Sequence, residues 1–407
     1  MSVAEMLVDK GIWTPLISLA CFLLIYTLGE TITQATKGLV SSMVIVSIAY
    51  IGLFITGIMP KGSPADTGLL AATNLVGTML TITHLGTIIK FKDLLNEWKT
   101  VLVCLAGFAG ILIICFSAGQ MLFGYDYAMT AVAPISGGII AAQITAEAAT
   151  NAGRADLASF AYLVMSFQGF IGMPLASFFL KRQCEKMIGE GLHDVPLLVA
   201  DESVSTKKKL FKPVPDTKNT WGLQLTKLAL VATLANVFGK HVLAPMGINI
   251  SAAVLVLFFG ILFHELGFLD DNILVKAGGF NVFMLGLFMS GPNSYASLDF
   301  KNVVEFIIPL FGLLVIGAIG IMVMSFIAGK ILKVDYNLAL ACGLAAMFGF
   351  PATLILTTDA VKGTGLPEEQ RTNLMDRILP KMIVAGFTTV TIASVIFAGV
   401  LAPMIFK

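Results

Sequence analysis

The chain has 407 residues, 57% of them hydrophobic and only 13% charged, and its 26 Lys/Arg and 25 Asp/Glu leave a net charge of +1. Soluble domains carry about 25% charged residues. A mean hydropathy of +0.89 therefore excludes a soluble enzyme, a nucleic-acid-binding protein and a disordered chain, and the near-neutral charge points to no partner.

The tail from Met1 to Lys10 lacks a basic n-region, so the first apolar run reads as a retained span rather than a cleaved signal. Apolar segments of about 20 residues, the length that crosses roughly 30 Å of hydrocarbon, are predicted at 12–29, 38–59, 68–89, 100–123, 128–152 and 158–180. After a polar stretch, 181–220, they resume at 221–239, 247–267, 274–296, 302–330, 337–361 and 379–404. The runs are continuous rather than alternating, which excludes a β-barrel. The polar stretch holds eight Lys/Arg and six Asp/Glu, with Lys207-Lys208-Lys209, Pro213 and Pro215, and reads as a solvated cytoplasmic linker between membrane halves 1–180 and 221–407. Cys21, Cys104, Cys115, Cys184 and Cys342 form no C-x-x-C pair, so neither a disulfide framework nor a zinc site is expected.

The halves repeat. Phe91-Lys92-Asp93 to Tyr127 and Phe300-Lys301-Asn302 to Tyr336 both run 37 residues, at a constant offset of 209. Gly169-Phe170 returns as Gly386-Phe387. With twelve crossings, and with Lys227 left out because it sits within a span, 14 Lys/Arg lie inside and 11 outside. With segments 5 and 11 re-entrant the count becomes 19 inside and 6 outside, which satisfies the positive-inside rule. Lys90, Lys92, Lys99, Lys362, Arg371, Arg377 and Lys381 then become cytoplasmic, and both termini lie outside. Five crossings per half is an odd number, so the halves insert in opposite orientations. The expected fold is an all-α polytopic membrane protein, an inverted-topology repeat of ten spans and two hairpins, as in secondary transporters.

Segment 5 contains Pro134, Gly137 and Gly138, which interrupt a helix. A hairpin over 128–153 with its tip near 136–141 has arms of about ten residues that reach the bilayer midplane, about 15 Å in. Segment 11 forms a second hairpin over 337–361 with its tip at Gly349-Phe350-Pro351. Irregular backbone at that depth belongs beside a cavity, where freed carbonyls hold cations and freed N–H groups hold anions. Gln143, Glu147 and Asn151 are spaced i, i+4, i+8 on one helical face, with Thr145 on the same arm. Thr353 and Thr357 share a face of the second arm, next to Thr358 and Asp359. Glu147 is the only acid deep in segment 5, and an intramembrane carboxylate marks a functional site. Lesser candidates are Asn74 and its repeat partner Asn281, and Ser290, Asn293 and Ser294. His84 and His264-Glu265 sit at span ends, and the latter is not the H-E-x-x-H of a zinc protease. No Arg lies centrally in a span, so an anion would rely on helix N-termini, hydroxyls or the end-positioned Arg154, Arg377 and Lys381.

The chain resembles the sodium/glutamate symporter family. Ile135-Ser136-Gly137-Gly138 is similar to the Ser-Gly-Gly of the family's first glycine-rich tip, although Ile139-Ile140 stand where a further glycine is usual. Asp335-Tyr336, Cys342-Gly343 and Gly349-Phe350-Pro351-Ala352-Thr353 are similar to the second, with fewer glycines. The resemblance implies a multi-pass protein of a bacterial inner membrane. Alternating access would carry a small organic solute, an amino acid or carboxylate such as glutamate, driven by sodium or protons. Ser136, Gly137, Gly138, Gln143, Thr145, Glu147, Asn151, Gly349, Pro351, Thr353, Thr357, Thr358 and Asp359 would bind solute or ion. The expected partners are that solute, the ion and the lipid bilayer, with a homodimer left open, no nucleic acid and no cofactor. The rival reading is an uncoupled channel, facilitator or exporter. An intramembrane enzyme would need clustered acids or a metal motif, for which only Asp270-Asp271 and His264-Glu265 stand.

Overall fold

The computed structural model describes residues 3–36, 42–88, 96–195, 210–211, 214–215, 218–246, 250, 252–350 and 352–405. Lys90, Phe91-Lys92-Asp93, Lys207-Lys208-Lys209, Pro213 and Pro351 lie outside them. Every regular element among the described residues is a helix. Six helices are long and apolar enough to cross a membrane: Pro15–Thr33, Trp98–Phe123, Ala155–Gly189, Trp221–Met246, Phe300–Leu332 and Glu368–Ala402. The protein is an all-α membrane protein. Helix and apolar segment differ at 158–180 and 379–404. There the helices begin or run on outside the apolar run, to Gly189 and from Glu368, because backbone hydrogen bonding does not stop where hydrophobicity does.

Segment 5 is a helix–break–helix. Tyr125–Ile135 ends at Ser136, Gly137 takes φ +95°, and Ile139–Asn151 returns. Its two ends meet: Arg154 donates to Asp126 at 2.6 Å and to Asp156 at 3.0 Å. Hydrogen bonds to Asp156 and then to Asp126 hold the Arg154 pKa above its usual value. Segment 11 repeats the design with Tyr336–Leu344, a 3₁₀ turn at Ala345–Met347, Gly349 at φ +65°, and Ala352–Lys362. Asp335 caps its first helix by accepting from the Asn337 N–H and pairs with Lys186. Beyond its last helix Gln370 reaches Asp194, so both ends of this hairpin sit at the far end of the 155–189 helix.

The hairpins belong to one body with the helices 98–123, 155–189, 300–332 and 368–405. The 98–123 and 300–332 helices cross backbone to backbone. A Cβ on Gly110 would stand 2.0 Å from the Gly320 carbonyl oxygen, a contact open only to glycine. Under the 209 offset these glycines are equivalent to within one residue. Ala155–Phe167 packs on both arms of the first hairpin, and Gly169–Gly189 on both arms of the second. Glu368–Phe387 packs on the second hairpin and Ser394–Ile405 on the first. The remaining helices, 15–85 and 221–295, form a companion body.

Candidate functional site

The returning arm Ile139–Asn151 faces a polar cavity of about 380 Å³. Gln143, Glu147 and Asn151 line one side, with Thr150. Asn74 stands opposite, on a π-helical turn, Thr73–Gly77, and Ser290, Asn293 and Ser294 come from Phe280–Tyr295. Tyr162 adds a wall from Ala155–Phe167. The i, i+4, i+8 spacing thus does what it predicts, and the companion body supplies the facing amides and hydroxyls. Thr78, absent from the sequence reading, stands four residues after Asn74 on the same face and carried the same signal. Tyr162 and Thr150 gave none, since an isolated Tyr or Thr in an apolar run reads as packing.

At the floor of the cavity Gln143 Nε2 donates to Glu147 Oε1 at 2.8 Å, Thr78 Oγ1 at 3.0 Å and Asn74 Oδ1 at 3.2 Å. Two N–H bonds serve three acceptors, and Gln143 Oε1 is buried with no donor. Such an atom awaits a water or a cation. The lining contains one carboxylate and no Lys, Arg or His. Its field therefore favours a cation or a proton and repels an unaccompanied anion.

The tips meet below this cavity. A Cβ on Gly137 would lie 2.2 Å from the Ala346 carbonyl oxygen and 2.8 Å from Val390 Cγ2, and one on Gly349 would lie 2.5 Å from the same methyl. Gly138 is as tightly held, against the Val390 carbonyl and Ser394. Val390 sits on another π-helical turn, Thr388–Ala393, so both tips rest on a bulge in the last long helix. Ser136 is fully buried and donates to its own helix at Ala133, and Thr145 does the same to Ala141.

The second arm is placed elsewhere. Thr353 and Thr357 are fully buried; the Thr357 hydroxyl donates to the Thr353 backbone carbonyl at 2.7 Å, and Thr353 Oγ1 has no hydrogen-bond partner among the described residues. Thr358 lines a separate pocket of about 170 Å³ with Lys362, Glu368, Arg371 and Thr372. Asp359 is half-buried beside it in sequence. None of these reaches the Glu147 cavity. Asn281 is exposed, as Asn74 is, but unlike Asn74 it lies outside the cavity. His84 and His264 are buried at the opposite end of the companion body, His264 paired to Asp271 at 2.6 Å. The chain matches no family model and no curated protein.

Proposed function

We propose that the chain is a secondary active transporter of a small organic solute, built as ten spans and two oppositely oriented re-entrant hairpins and coupled to sodium or protons. The topology draws support from an ion pair and a hydrogen bond. Had segment 5 crossed the bilayer, its 27 residues from Tyr125 to Asn151 would part Asp126 and Arg154 by about 40 Å, yet they are 2.6 Å apart. Likewise the Gln370–Asp194 bond joins residues that only the re-entrant arrangement puts on one face. On this reading the Arg154 end is outside, the 181–220 linker is cytoplasmic, and the membrane is a bacterial inner membrane, as the sodium/glutamate symporter resemblance implies.

The observation that carries transport is the cavity: a lone carboxylate, four amides and several hydroxyls converge between the hairpin's returning arm and the facing helices. Its chemistry fits the coupling cation. An amino acid or carboxylate would then enter with that cation, which offsets the Glu147 charge. A thermal-shift screen of the purified protein against amino acids and carboxylates, with and without sodium and across pH, tests this. The expected result is an ion-dependent stabilisation that Glu147→Gln removes, together with loss of concentrative uptake and survival of downhill exchange. If Glu147→Gln concentrates solute with native ion dependence, coupling does not run through this carboxylate.

A further inference from the structure

The free hydrogen-bonding groups of the Glu147 cavity are sorted into an acceptor side and a donor side. Gln143 Nε2 faces a Glu147 oxygen and the Thr78 hydroxyl, whose own hydrogen goes to the Thr73 carbonyl at 3.1 Å. Both can only accept from it, so the Gln143 amide is held in one orientation. Asn74 then turns its Oδ1 toward Gln143, and its Nδ2 hydrogens have no partner among the described residues. The side-chain amides of Asn151 and Asn293 are likewise unpaired among the described residues. Glu147 is exposed to the cavity. Gln143 occupies its Oε1, and Oε2 is left free there.

The backbone reinforces this sorting. Asn151 and Ser294 stand in the last turns of Ile139–Asn151 and Phe280–Tyr295, and the C-terminal end of a helix is its negative pole. Leu70 stands in the first turn of the continuous helix Leu69–Leu85, the positive pole, with Asn74 one turn further on. Asn74 and Glu147 meet the same Gln143 nitrogen, so donor and carboxylate are a few ångströms apart. That is the span between the ammonium and carboxylate groups of one α-amino acid. Tyr162, hydrogen-bonded to Ser290, walls the rest of a cavity of about 380 Å³, which leaves room for a side chain.

The lining offers no countercharge to an anion. It holds no Lys, Arg or His, and Arg154, three residues beyond Asn151, is turned to Asp126 and Asp156. A zwitterion neutralises Glu147 with its own ammonium and asks only neutral N–H groups of the protein for its carboxylate. A hydroxy acid or dicarboxylate brings charge of the same sign as Glu147 and nothing that meets it, which is discrimination by repulsion.

We infer that the cargo of the transporter proposed above, a reading on which this inference rests, is a neutral, zwitterionic amino acid. Its ammonium donates to Glu147 Oε2 and its carboxylate accepts from Asn74 Nδ2. Anionic solutes, glutamate included, are rejected by the same carboxylate. Glu147 then serves the cargo as well as the ion, so Glu147→Gln exchanges solute downhill only at raised solute concentration.

Calorimetric titration of the purified chain with matched skeletons, at fixed sodium and pH, tests this. Alanine and lactate differ only in the ammonium that lactate replaces with a hydroxyl. Glutamine and glutamate are nearly the same size and differ by one charge. Serine and leucine vary the side chain. At least one of the four neutral amino acids should bind, and about ten-fold or more tightly than lactate or glutamate, the ratio for one charge-assisted hydrogen bond. Glu147→Gln should weaken that binding about ten-fold, and Asn74→Ala about five-fold. The comparison within the native chain stands even if a variant fails to fold. The inference is overturned if lactate or glutamate binds as tightly as the neutral amino acids, if none of the four binds, or if Glu147→Gln melts as the native chain does and binds with unchanged affinity. Uptake into vesicles keeps the two readings apart. A neutral amino acid that binds in this pattern without being carried would sink the transporter reading and leave the site. Uptake of lactate or succinate with no need for an ammonium would sink this inference and leave the transporter.

Discussion

Gly137→Ala separates the contribution of tip contact from that of backbone conformation. Gly137 holds φ +95°, a region where an L-residue costs about 1–2 kcal/mol. Its Cβ would also sit 2.2 Å from the Ala346 carbonyl oxygen, whereas the closest ordinary C···O approach is about 3.3 Å. The tips would have to part by about 1 Å, and overpacking of that kind costs about 1–3 kcal/mol. Gly153, in the turn that ends the same hairpin, provides the control. It holds φ +75° with nothing within 4 Å of its Cβ position, so Gly153→Ala bears the first cost alone. Melting of the two variants in one detergent at one scan rate isolates the difference. Gly137→Ala is expected to melt about 1–4 °C below Gly153→Ala and to lose solute uptake, while Gly153→Ala retains uptake. Equal melting temperatures with uptake intact in both would refute direct contact between the tips.

Asp126→Asn and Arg154→Gln should each lower stability by no more than about 1 kcal/mol, because the pair is about half exposed, and a double-mutant cycle should return a coupling of that size. A coupling of zero would mean the hairpin mouth is closed by packing alone. In the same vesicles a cysteine at Gln370 should be reached only from the cytoplasmic side and one at Gly62 only from outside. External labelling at 370 would restore a twelve-span arrangement.

The hairpin breaks were legible because proline and glycine act locally: Pro134, Gly137 and Gly349 announce an interruption whatever surrounds them. The Gln143–Glu147–Asn151 face was legible for the same reason, since helical periodicity needs no knowledge of the partner. The opposite wall of the cavity was only half legible. Asn74, Ser290 and Asn293 read as polar residues in spans, but their convergence depends on how two bodies pack, and no short-range pattern encodes that. The buried hydrogen bonds that join Ser47, Ser166 and Tyr295 were the least legible part. Ser47 and Ser166 are single hydroxyls in apolar helices, a setting in which serine more often bonds its own backbone, as both also do here, to Met43 and Tyr162. Thr353 and Thr357 show the converse: they share a face as the spacing requires, but that face is turned into the protein.

The two long helices, 155–189 and 368–405, splint the hairpins in opposite order, each supporting its own hairpin with one half and the other hairpin with the other. Neither tip can tilt without dragging the helix that braces its counterpart. In a gradient-driven carrier this matters for slippage, the wasted cycle in which an ion crosses without its cargo. If ion and solute occupy different hairpins, a half-loaded body moves both half-sites together, because the same two helices brace both hairpins. Tight stoichiometry would then be a property of the scaffold rather than of any single ligand contact. A lesion on one tip would slow the whole stroke instead of opening a leak.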